Sequence, residues 1–107
     1  MAQHRAPHTL TAGTILVARS MGEQTDVSFY QVLKATPRTV TVRPVAAAKD
    51  HDHQAMTYRA RPVPEAFTSG PFRRTVVNFE GTERIAVGYR LNARRWDEQP
   101  EHGSTYA

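Results

Sequence analysis

From Val27 to Arg43 the chain reads VSFYQVLKATPRTVTVR, with apolar and polar positions alternating along most of its length. In an extended segment Val27, Phe29, Leu33 and Ala35 fall on one face, and Tyr30, Val32, Lys34 and Thr36 on the other. Beyond Pro37, Val40 and Val42 face one way while Thr39, Thr41 and Arg43 face the other. Period-two alternation rich in β-branched and aromatic residues predicts strands. Pro37 suits the first central position of a type I turn, where its ring already holds the required φ. The stretch is therefore expected to be a hairpin. A lone hairpin is marginal in water, so the remaining chain must supply strands to cover it.

Further segments carry the same signal. Gly13 to Arg19 reads as a short strand with Ile15 and Val17 opposing Leu16 and Ala18, an apolar set on both faces that predicts burial from two sides. Ser20 to Asp26 is a polar connection around Gly22. Pro44 to Gln54 reads as a connection, and Ala55 to Arg61 as a strand with Met56, Tyr58 and Ala60 on one face, ended by Pro62 and Pro64. Arg73 to Phe79 is expected to be one strand, followed by a turn around Gly81. Arg84 to Ala93 is expected to be another, placing Ile85, Val87, Tyr89, Leu91 and Ala93 on one face, with Gly88 marking a bulge or bend.

Five to six short strands and little helix predict a mainly β fold, either a small SH3-like barrel or a strongly curled antiparallel sheet; curling or closure removes long unpaired edges. The expected organisation is a flexible N-terminal arm over 1–12, one β-rich domain over 13–96 and an acidic C-terminal tail over 97–107. The 107 residues fit a single domain. No cysteine is present, which excludes disulfides, thiolate metal sites and cysteine nucleophiles. No apolar run approaches the ~20 residues of a membrane-spanning helix and no secretory leader is visible, so a cytoplasmic protein with no membrane partner is expected.

Charge is distributed unevenly. Residues 28–96 hold twelve basic against five acidic side chains, net +7, whereas residues 97–107 hold three acidic and no basic ones. Twelve of the fourteen basic residues are Arg, the residue suited to bidentate contacts with phosphate or carboxylate, although a GC-rich genome gives the same excess through codon bias. Arg84, Arg90 and Arg94 are expected on the polar face of one strand and Arg74 on its neighbour. Lys34, Arg38 and Arg43 belong to the first hairpin, where Tyr30 shares the face of Lys34 and could stack on a base. Trp96 beside Asp97 is a further candidate contact, though a core or edge anchor is the simpler reading.

Other chemistry has little support. The sequence holds no GxxxxGK[ST], GxSxG, HExxH or GxGxxG motif, so no enzyme and no cofactor is expected. Asp50-His51-Asp52-His53 is the one run of metal-capable side chains. A stable site needs three or four ligands from fixed elements, which a loop does not supply, so this run reads as solvated and no metal is expected.

Gln24-Thr25-Asp26-Val27-Ser28-Phe29-Tyr30-Gln31-Val32, followed by Lys34 and Thr39-Val40-Thr41-Val42-Arg43, resembles small uncharacterised proteins of phages and other mobile elements with the pattern QTNVDFYQVVK and then KTVTVR. Met56-Thr57-Tyr58 with Pro62-Val63-Pro64 and Phe67, and Trp96-Asp97-Glu98-Gln99-Pro100 ending in Tyr106-Ala107, are similar to their middle segment and their closing WDGKP…YA. This chain departs at Glu98, where those proteins carry Gly, and is one residue shorter before Gln24. The resemblance implies a phage or mobile-element origin and no particular activity. The resulting expectation is a non-enzymatic module that binds nucleic acid through a basic face. The alternative is a protein–protein module, an inhibitor of a host defence or replication protein, docking on an acidic surface.

Overall fold

The computed structural model describes residues 7–21 and 25–104. Gly22 and the closing residues 105–107, both part of the sequence expectations, lie outside this range. Among the described residues nine strands run in chain order: β1 Ile15–Met21, β2 Thr25–Ala35, β3 Thr39–Asp52, β4 Thr57–Phe67, β5 Phe72–Thr75, β6 Val77–Phe79, β7 Thr82–Gly88, β8 Leu91–Arg95 and β9 Glu101–Ser104. All pairings are antiparallel and form one sheet in the order β6-β7-β8-β1-β2-β3-β4-β9, with β5 added alongside the first part of β3. No helix occurs among the described residues, so none is long and apolar enough to cross a membrane.

The sheet curls strongly because β1 and β2 are apolar on both faces. On one face Leu16 and Ala18 of β1 join Val32, Val40, Val42, Ile85 and Ala93 in a buried cluster, with Phe72 and Val76 packed against it. On the other, Val17 joins Val27, Phe29, Val45, Tyr58 and Ala60, with Trp96 packed at the rim. Successive side chains of a strand point to opposite faces, so β1 and β2 form a common wall between two cores. Burial of each Val, Leu or Phe stabilises the fold by about 1.5–3 kcal/mol. The first core closes as a half-barrel of β5, β3, β2, β1, β8 and β7. At its open seam the Arg74 Nε donates to the Ala86 carbonyl at 3.0 Å, while the Val76 N–H, donating to the Arg38 carbonyl at 2.9 Å, continues the β5–β3 pairing.

The mainly β, strongly curled class holds, with nine strands in place of five to six. Four assignments change. Pro44 to Asp52 is the continuation of β3 rather than a connection, paired with β4 from Ala47↔Pro62 to Asp52↔Thr57. Pro62 and Pro64 do not end β4. They lie past Ala60, the last residue paired to β9, on an edge where a missing N–H costs no ladder bond. Arg73 to Phe79 is two strands broken at Val76, β5 paired to β3 and β6 to β7. Arg84 to Ala93 is a hairpin: β7 and β8 pair with one another across a turn at Tyr89-Arg90, next to the register shift at Gly88.

Both ends are also more engaged than expected. Pro7 to Ala12 are seated on the fold rather than standing off as an arm. Leu10 is 2% exposed inside the first core, and the Thr9 N–H and hydroxyl donate to Glu83 at 2.7 and 2.5 Å. Within the acidic tail, Glu101–Ser104 form β9, which covers the edge of β4.

Candidate functional site

The β6–β7–β8 unit carries the largest concentration of exposed aromatic and basic side chains. Glu80 and Gly81 join β6 to β7 with φ of 52° and 84°, the pair of positive angles that a two-residue hairpin turn of right-handed twist requires. The Asn78 side-chain oxygen accepts the Gly81 N–H at 3.0 Å and fixes this turn. On β7, Ile85 enters the first core, so its neighbours Arg84 and Ala86 face outward. Arg84 lies opposite Val77 on one side and Arg94 on the other; Ala86 lies opposite Asn92.

Arg74 and Arg84 come together across the seam in one groove of about 620 Å3, with Val77, Phe79, Ala86 and Asn92 among its lining. Among the described residues no carboxylate lines it. The Arg84 guanidinium lies 5.2 Å from the Phe79 ring centre, and that of Arg74 lies 4.6 Å from Phe72. The Arg84 Nε is buried and has no hydrogen-bond partner among the described residues. Val77 and Phe79 are 56% and 55% exposed on β6, which is an edge strand. Past the Ala86–Asn92 pair, Tyr89 stands 89% exposed at the hairpin tip with the Arg90 guanidinium 5.4 Å from its ring.

The expected basic face is only partly assembled. Arg74 and Arg84 share the groove, and Arg90 marks the tip of the same hairpin. Arg94 directly opposes Arg84, a like-charge pairing that is unfavourable by itself. It instead meets Glu101 of β9 at 3.5 Å, so its charge is offset within the fold. Arg43 donates from Nε to the Ser69 carbonyl at 2.7 Å and lies 4.6 Å from the Phe67 ring. Arg38 is exposed in the turn between β2 and β3. Lys34 lies in a row with Thr41 and Arg73, away from the groove.

The two aromatic candidates of the sequence are not stacking platforms. A register shift between Val32 and Lys34 marks a bulge in β2, and after it Lys34 pairs with outward-facing Thr41, whereas Tyr30 stays with the first core. Tyr30 packs edge-on to Phe72 at 5.9 Å; burial pushes its phenol above the ordinary value, partly opposed by a hydrogen bond with Ser28. Trp96 is an anchor. Its ring meets Phe29 edge-on at 6.0 Å and its Nε1 donates to the Gln99 carbonyl at 2.8 Å. The groove's aromatic is Phe79, and the hairpin tip carries Tyr89. Both flank a hairpin turn, and that adjacency is the signal in the sequence. The run Asp50 to Asp52 lies in β3; His51 and His53 stack at 6.0 Å, and the described residues contain no group of three or more His, Cys, Asp or Glu side chains placed to hold a metal ion.

Comparison with protein families, curated proteins and solved structures finds no match to the chain.

Proposed function

We propose that this protein is a non-enzymatic binding module of the small-barrel, SH3-like type, and that it binds nucleic acid through the groove between β5 and the β6–β7–β8 unit. The observation that carries this reading is the meeting of Arg74 and Arg84 beside exposed Phe79 with no carboxylate in the lining. Guanidinium groups take phosphate oxygens in bidentate fashion, and two of them, Arg74 and Arg84, line this groove. The net +7 of residues 28–96 adds a long-range attraction for a polyanion. The resemblance to phage and mobile-element proteins supports a partner among phage or host nucleic acids in the cytoplasm.

The test is binding to generic DNA and RNA over a salt series. Affinity must fall steeply as salt rises, because each neutralised phosphate releases counterions. Arg84→Glu with Arg90→Glu is expected to lower affinity and to reduce the salt slope by about 1.4 for a single strand, the share of two phosphate contacts. Arg59→Glu with Arg61→Glu makes the same change in net charge on exposed β4, outside the groove, and is expected to do much less. Equal losses would assign binding to net charge rather than to the groove.

A second reading has one observation of its own. Val77 and Phe79 sit exposed on the free edge strand β6, where a partner protein's strand can add to the sheet. Binding of an acidic host protein with no binding of DNA or RNA would favour it.

A further inference from the structure

We infer that the groove takes single-stranded nucleic acid in preference to duplex, one base stacking on Phe79 while the adjoining phosphate meets Arg74 and Arg84. This deepens, and rests on, the nucleic-acid reading above.

Phe79 is the deciding residue. It belongs to a three-residue edge strand, with β7 on one side and solvent on the other, and more than half of its surface is open. Arg84 can cover only one face of the ring. An exposed phenyl group gains little from an undistorted duplex, whose bases are stacked on one another and which offers a protein its phosphates and groove edges. A single strand offers free base faces, and every base has one, so an aromatic platform beside cations binds single strands with little sequence preference. Asn92 lies in the same lining and adds an amide that can donate to and accept from a base edge.

The hairpin also sets a length. Phe79 pairs with Thr82 at the start of β7, and Tyr89 follows Gly88 at its end. The six steps from Thr82 to Gly88, at ~3.3 Å each, span about 20 Å. At about 3.4 Å per stacked nucleotide, that is roughly six nucleotides between the two aromatic positions. Arg84 lies between them and Arg90 beside the second.

The experiment is fluorescence anisotropy at about 50 mM salt with labelled oligo-dT and oligo-rU of about twelve nucleotides, and with a duplex of about twelve base pairs. The proteins are the wild type, Phe79→Ala, Phe79→Trp and Tyr89→Ala, each checked for folding by circular dichroism. The wild type is expected to prefer the single strands. Phe79→Ala is expected to weaken their binding by roughly 5- to 150-fold, the range for loss of one base–aromatic stack, with about twofold change or less on duplex. Phe79→Trp is expected to hold or tighten single-strand binding. If Phe79→Ala does not fold, Phe79→Trp and Tyr89→Ala carry the test: a Trp that weakens single-strand binding, or a Tyr89→Ala that leaves it unchanged, overturns the inference. Equal affinity for duplex and single strand, with Phe79→Ala harmless, also overturns it and leaves the nucleic-acid reading standing. Failure of the wild type to bind either form removes both.

Discussion

Gly103→Ala tests how the second core is closed. An ideal Cβ at Gly103 would lie 2.1 Å from Cζ, 2.3 Å from the hydroxyl oxygen and 2.5 Å from Cε2 of Tyr58. The ring crosses β9 at this one position, because Tyr58 of β4 pairs directly with Gly103. Tyr58 is buried, its hydroxyl accepts the Val27 N–H at 3.2 Å, and it donates to the Thr25 carbonyl at 3.3 Å. An added methyl group therefore cannot be met by a side-chain tip swinging into water. Overpacking alone costs about 1–3 kcal/mol. Displacing the hydroxyl loses two hydrogen bonds of about 0.5–1.5 kcal/mol each. The expected loss is then about 2–6 kcal/mol, read as a lower urea midpoint at unchanged slope and a Tm lower by roughly 8 °C or more. In a Tyr58→Leu background the atoms that clash are gone, and the same Gly103→Ala change should cost less than about 1 kcal/mol, a coupling that a double-mutant cycle measures. A single-mutant loss below about 0.5 kcal/mol would refute the close approach of β9 to Tyr58.

Two further perturbations address the N-terminal segment. Leu10→Ala should cost about 2–5 kcal/mol by urea denaturation, since the side chain is enclosed by the first core; a loss under about 0.5 kcal/mol would return residues 7–12 to the status of an arm. For Glu83, burial pushes the carboxyl up but is outweighed by hydrogen bonds from Thr9 and by the nearby His8 and Arg95, which hold it below its ordinary value of 4.5. A folded value below the unfolded one gives stability that is present above the unfolded value and is lost as pH falls through the folded one. Glu83→Gln should therefore lower stability at neutral pH and flatten the acid side of a urea-midpoint profile taken down to about pH 3, and an unchanged profile would remove Glu83 as the anchor of the segment.

Fold class was legible in the chain because alternation is a local property. Ile15-Leu16-Val17-Ala18 shows apolar side chains at both parities, and both faces of β1 are buried as that pattern implies. Turn chemistry was legible at Gly81 for the same reason, whereas nothing in the local pattern marks Glu98, whose φ of 68° lies in the region that glycine favours. What local patterns could not carry was the site. Two events decide which cations share a surface, and each involves a single residue. The bulge before Lys34 rotates that side chain away from Tyr30 and towards Thr41 and Arg73. The reversal at Tyr89-Arg90 converts one expected strand into a hairpin, setting Arg84 opposite Arg94 instead of on the same row. Once they are opposed, charge repulsion makes the two inequivalent. Glu101 reaches Arg94, and Arg84 keeps a buried Nε with no partner beside Phe79. That inequivalence arises from residues 84, 94 and 101 meeting in space, through pairings that only the folded sheet specifies. It also sets the groove apart from the other basic residues, because its lining holds no carboxylate among the described residues to offset Arg84.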